Sequence, residues 1–258
     1  QGIWGMQCIG MFRSYQDIDE YFTKYNITSY MGYAKEDVKP GMLIYKDVRG
    51  ERQADGTYAA PDGVVSAEND QVRLSNRNNP YSMTMNLNAE WKGISLTAQF
   101  NASWGGYSFL PDDAISLGNQ GTSANNYNDL EYANMPSFWN TDNMFVYNDV
   151  VDAAGNVVVK ANRNGKYPNL RWSSVNAQKS SYWRISGTRI KLNRLTLAYR
   201  IPSKYTKMLG IESCRFNVTG QNLLSFYNPY PDNFIDPMTI YGNYPTLRKF
   251  TIGVNLTF

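Results

Sequence analysis

The sequence predicts an all-β fold, an antiparallel transmembrane β-barrel segment of about six strands with long extracellular loops. Three observations carry this. Apolar and polar residues alternate over whole strand lengths, connections alternate between long and short, and aromatic residues stand at strand ends.

The first segment, GIWGMQCI at 2–9, alternates least. The second, YSMTMNLNAEW at 81–91, sets Tyr81, Met83, Met85, Leu87, Ala89 and Trp91 against Ser82, Thr84, Asn86, Asn88 and Glu90. The third, ISLTAQFNASW at 94–104, repeats the pattern with Ile94, Leu96, Ala98, Phe100, Ala102 and Trp104 on one face. With 42% apolar residues, a perfect eleven-residue alternation arises about 4 times in 10,000 starts, so roughly 0.1 is expected in this chain. Two of them separated only by Lys92 and Gly93 read as a hairpin closed by a tight turn. The fourth strand starts with Ile190 and Leu192, slips phase at Asn193 and Arg194, and resumes with Leu195, Leu197, Tyr199 and Ile201; a β-bulge accounts for the slip. The fifth, within 211–222, places Cys214, Phe216, Val218 and Gly220 opposite Arg215, Asn217, Thr219 and Gln221. The sixth, FTIGVNLTF at 250–258, alternates to its last residue.

The connections are long (10–78), short (Lys92 and Gly93), long (105–187), short (202–210) and intermediate (224–246). In an antiparallel meander every second connection falls on the same side, so the long ones share one rim. Eleven residues tilted as in a barrel rise roughly 26 Å, close to the apolar band of an outer-membrane barrel. Tyr81, Trp91, Trp104, Tyr107 and Tyr199 sit where aromatic girdles belong. A soluble β-sandwich gives the same alternation, but structureless loops this long argue against a compact soluble domain.

Composition narrows the function classes. Histidine is absent, which removes Ser-His-Asp triads, Cys-His pairs and imidazole zinc sites. Cys8 and Cys214 form neither a disulfide framework nor a CxxC motif. Lys plus Arg number 25 against 22 Asp plus Glu, a net +3 with no basic block, so nucleic acid is not an expected partner. There is no 18-residue apolar run, and QGIWGMQCIG lacks the pattern of a signal peptide.

Longer motifs sharpen this reading. KSSYWRISGTRIKLNRLTLAYRIP, CRFNVTGQNLLSF, Asp236-Pro237 and YPTLRKFTIGVNLTF resemble, in order and spacing, the C-terminal end of SusC/RagA-family TonB-dependent outer-membrane transporters. GMFRSYQDIDEYF, PGMLIYKDVRG and WKGISLTAQF resemble segments further upstream in the same family. The resemblance implies that 1–258 is the C-terminal part of one barrel domain of the roughly 22-stranded, plugged kind, without the plug domain and first barrel strands. It implies import of glycan or peptide fragments across the bacterial outer membrane as a multi-pass barrel. The implied partners are a SusD-like surface lipoprotein, the TonB complex acting through the N-terminal part, the barrel-assembly machinery reading Phe258, and outer-membrane lipid. The rival function class is a secreted carbohydrate-binding β-sandwich module.

On this reading Met83, Met85, Leu87, Leu96, Phe100, Phe250, Ile252, Val254 and Leu256 face lipid. Thr84, Asn86, Asn88, Glu90, Thr97, Gln99, Asn101, Asn217, Thr219, Gln221 and Asn255 face the lumen. Within NNYNDLEYANMPSFWN, the aromatic residues Tyr127, Tyr132, Phe138 and Trp139 are the candidate ligand contacts; the alternative is that they pack the loop. Adjacent Asp112 and Asp113 point apart in an extended chain, so they are read as capping or solvated charge rather than as a glycosidase pair. No catalytic set is visible, and the chain is read as a non-enzyme without a cofactor. Where the family often carries an acidic loop suggestive of calcium, this sequence has Asp47, Arg49, Glu51 and Arg52, so no metal is expected. Counting strands back from a periplasmic C-terminus puts Cys8 near the outer rim and Cys214 near the inner one, roughly 20 Å apart in height. A disulfide needs Cα atoms within about 7 Å, so the two cysteines are expected to be unbonded.

Overall fold

The computed structural model describes residues 2–76, 80–116, 136–236 and 246–258. The chain divides into two units, one of residues 1–77 and 109–184, the other of 78–108 and 185–258.

The first unit is built from the two longest connections. Strand β1 (Gly2–Met6) pairs antiparallel with β4 (Gln71–Asn76), and β2 (Cys8–Met11) with β3 (Leu43–Tyr45). Helix α1 (Tyr15–Tyr25) starts where Ser14 accepts a hydrogen bond from the Asp17 N–H while the Asp17 carboxylate accepts from the Ser14 N–H, a capping box. It stops at Asn26, whose left-handed φ of 52° ends the helix. Its apolar stripe, Ile18, Tyr21 and Phe22, is buried, and Tyr21 packs edge-on against Phe12 and Tyr30. Phenols in this core keep their hydroxyls satisfied: Tyr30 donates to the Leu43 carbonyl and accepts from the Tyr45 N–H, and Tyr45 donates to the Val175 carbonyl. A second cluster joins Phe138, Trp139, Tyr167 and Trp183, all buried. Asn176, also buried, ties the two connections together: its Oδ1 accepts from the Leu43 N–H at 2.8 Å and its Nδ2 donates to Gly41 and Asn169 carbonyls. Among the described residues the long connections are therefore not structureless. They form a unit with its own aromatic core.

The second unit contains a five-stranded antiparallel sheet made of β5 (Tyr81–Trp91), β6 (Ile94–Trp104), β7 (Arg189–Arg200), β8 (Ser213–Tyr227) and β9 (Lys249–Thr257), in the spatial order β9-β8-β7-β6-β5. Lys92 and Gly93 close the β5–β6 hairpin with φ of 47° and 83°, the double positive φ that a tight two-residue turn requires. The phase slip at Asn193 is a bulge: Leu192 pairs with Phe100 and Arg194 with Gln99, leaving Asn193 as the extra residue.

One element differs from the sequence expectation. The segment at 2–9 does not join this sheet, because the backbone of Gly2–Met6 is paired with Gln71–Asn76. Among the described residues the sheet thus has five strands rather than six. Both cysteines are free thiols. Cys214 lies in β8 opposite Leu256, but Cys8 lies in β2 opposite Tyr45, so the height argument that placed both in one wall does not hold.

Candidate functional site

The register of the five strands sorts their side chains into two surfaces. Across the sheet, Ala89, Leu96, Leu197, Val218 and Ile252 form one apolar rung, and Trp91, Ile94, Tyr199, Phe216 and Val254 the next. On the opposite face Asn88, Thr97, Thr196, Thr219 and Thr251 form a polar rung, in which the Thr196 and Thr219 hydroxyls share a hydrogen bond of 2.9 Å. The apolar face is not covered by the chain: Leu87 is 51% exposed, Leu197 51% and Ile252 78%. An apolar surface running unbroken across five strands is far larger than the patches soluble monomers expose. The even-numbered residues of β9, Phe250 to Leu256, share the apolar face, and Thr251 and Asn255 the polar one. Gly253 is fixed by its neighbour: a Cβ there would lie 2.4 Å from Asn217 Oδ1. On the polar face the buried Lys191 ammonium meets Asp236 Oδ2 at 2.8 Å, which fastens the connection after β8 to the sheet.

Of the candidate ligand contacts, Tyr127 and Tyr132 lie outside the described residues. Phe138 and Trp139 are buried, and Trp139 Nε1 donates to the Ala114 carbonyl at 2.7 Å. Their rings fill the aromatic core of the first unit, so the structure gives these two a packing role. Asp112 and Asp113 open a short helix, α2 (Asp112–Ile115), where both are exposed and acidic charge suits the helix start. Phe258 is exposed beyond the end of β9, which is an edge strand of the five-stranded sheet.

The acidic loop is organised by main-chain donors. Asp70, fully buried, accepts from the N–H groups of Val48, Arg49 and Ser66, and Asp47 Oδ2 accepts from Gly63 N–H at 2.8 Å. Desolvation pushes the Asp47 carboxyl above its ordinary range; the Gly63 N–H offsets part of this, and the charges of Asp70 and Asp62 add to it. Arg49 stays within the loop, its guanidinium 3.9 Å from the Tyr58 ring centroid and its Nε donating to Asn69.

A feature the sequence reading missed is a cleft of about 410 Å³ on the first unit, walled by Tyr15, Tyr147 and Trp172 with Lys39, Arg171 and Asp149 at its edge. Tyr15 is half exposed and meets the Tyr147 ring edge-on at 5.5 Å. Its residues come from four separate stretches of chain, and no spacing signal in the sequence joins them.

No family model matches the chain. TonB-dependent receptor P3 of Formosa agariphila is 34% identical over 86 residues, covering 28% of this chain and 8% of that protein. Solved structures of the RagAB peptide transporter, and of the RagAB peptide importer in its closed-closed and open-open states, match the whole chain with TM-scores of 0.57, 0.56 and 0.53. The identities are 17%, 19% and 16%, so these likenesses speak for the fold alone, and the chain spans 22–23% of the length of those proteins. The chain is thus similar over part of its sequence to a protein named a TonB-dependent receptor, and over its whole length to the fold of the RagAB structures.

Proposed function

We propose that this chain is the wall and loop portion of an outer-membrane TonB-dependent importer that captures nutrient fragments together with a SusD-like surface lipoprotein. The observation that carries the reading is the five-stranded sheet with one uncovered apolar face and one polar face, the arrangement a barrel strand needs between lipid and lumen. The apolar rungs hold the wall in the bilayer. The polar rungs meet water and a plug. Phe258 presents the final strand to the assembly machinery, and TonB acts through a part of the protein outside this chain. Tyr127 and Tyr132 contact the cargo. The chain performs no chemistry of its own; its relatives are named as receptors and importers.

The test is site-directed spin labelling of β9 in the full parent protein reconstituted in vesicles. Labels at Ile252 and Val254 are expected to be accessible to oxygen dissolved in lipid, and labels at Thr251 and Asn255 to an aqueous reagent. Lipid exposure of Thr251 and Asn255 would overturn the membrane reading.

A further inference from the structure

The cleft of the first unit is cationic as well as aromatic. Lys39 and Arg171 have no carboxylate partner among the described residues, since the ion pairs formed there are Lys35–Asp19 and Lys191–Asp236. The carboxylate at the edge, Asp149, is engaged by the Ala161 N–H at 2.6 Å. The rings are also held in place: Arg163 lies 4.4 Å from the centre of Tyr147, and Arg171 5.2 Å from that of Trp172. A site of flat rings, which fix the plane of a ligand, and cations without a carboxylate partner, of which Lys39 also donates to the Glu36 carbonyl, suits a small ring bearing a carboxylate.

The second unit adds an independent observation of the same sign. The polar face of the sheet carries Arg189, Arg194, Arg200, Arg215 and Lys249 without a carboxylate partner among the described residues, against Glu90 alone. The bulge at Asn193 is what keeps Arg194 and Arg200 on the face of Arg189. A surface lined with one sign of charge attracts ligands of the other.

We propose that the cleft binds an acidic oligosaccharide, with a uronate carboxylate taken by Arg171 and Lys39 and pyranose faces laid on Trp172 and Tyr15. Pro40, Val146 and Val150 also line the cleft, so an acidic peptide, which takes its affinity from main-chain pairing and apolar pockets, is the competitor that the experiment must separate from a sugar acid. The inference deepens the importer reading, on which its physiological meaning rests.

The experiment is calorimetric titration of the full parent protein in detergent with three probes: tetragalacturonate, its fully methyl-esterified form, and tetraglutamate. The acid form is expected to bind at least about tenfold more tightly than the ester, which keeps the rings and loses the charge. Lys39→Gln combined with Arg171→Gln removes most of that preference, so that acid and ester bind the variant about equally. Equal binding of acid and ester, an unaltered preference in the double variant, or tetraglutamate binding as tightly as the sugar acid would each overturn the proposal. The two readings fail separately. A protein that binds the sugar acid but shows no lipid-facing wall sinks the importer; one with a lipid-facing wall that ignores the sugar acid sinks the cleft.

Discussion

The two units of this chain use the same kinds of residue in opposite ways. The first buries Trp183, Tyr30, Tyr45, Phe12 and Phe138 almost completely. The second leaves Phe250, Ile252, Leu197 and Leu87 half exposed or more. Both dispositions are stable, because the hydrophobic effect rewards removal from water and does not specify what replaces it. In the first unit the replacement is other side chains. In the second, on the reading argued above, it is lipid. On that reading the high apolar exposure of the second unit is a working surface.

Substitutions sharpen the contrast. The largest effect is expected from Trp183→Ala, which empties the centre of the first unit and leaves the Asn176 carbonyl without its indole donor. A cost of about 3–5 kcal/mol follows from the deleted volume, and hydrogen exchange across β2, β3 and α1 should rise while the β5–β9 sheet keeps its protection. A global loss of protection would show instead that the units fold as one. Next comes a pair one residue apart on opposite faces. Ile252→Arg places a charge on the apolar face and is expected to cost about 2–4 kcal/mol in refolding from urea into vesicles, whereas Thr251→Arg on the polar face should cost well under half as much. Equal costs would break the two-faced reading.

The smallest effects concern titration in the first unit. The Asp47 carboxyl is raised in the folded protein, so the fold binds its proton more tightly than the unfolded chain does. Its contribution is therefore lost as pH rises from the ordinary carboxylate range through the raised value, and Asp47→Asn should gain on the wild type over that window. The change should appear as slower hydrogen exchange at Val48 and Gly63 at neutral pH, with little difference in acid; the reverse order would refute the assigned direction. The Cys8 thiol is pushed up to about 11, chiefly by burial, partly offset by main-chain groups of Gly10 and Ile44. Maleimide labelling of Cys8 should accordingly be slow near neutrality, where the thiolate is scarce, and accelerate toward that value.

The sheet was legible in the sequence because its signal is local. Period-two alternation located β5, β6, β8 and β9, the Lys92-Gly93 pair located the turn, and a single slipped phase located the bulge. The capping box of α1, SYQD at 14–17, is an equally local signal. The core of the first unit was not legible. Contacts such as that between Leu43 and Asn176 join residues more than a hundred positions apart, and outside the stripe of α1 its buried aromatic residues are scattered along the chain. The same aromatic residues that suggested ligand contact at Phe138 and Trp139 belong to that core, since a ring suited to stacking on a ligand is equally suited to stacking on Tyr167. The first strand failed for a related reason: pairing, unlike alternation, depends on a partner chosen at long range.

The bulge has a geometric consequence. Between the rung of Gln99, Arg194 and Gln221 and the rung of Ala102, Ile190 and Tyr227, β6 advances three residues, β7 four and β8 six. The excess grows strand by strand and sits entirely on the side of the long connections; toward the short turns the ladder is regular. Extra residues bend a strand and steepen its twist. The sheet therefore keeps an even ladder at its turn end and bends at its loop end, where three neighbouring strands count the same height in different numbers of residues.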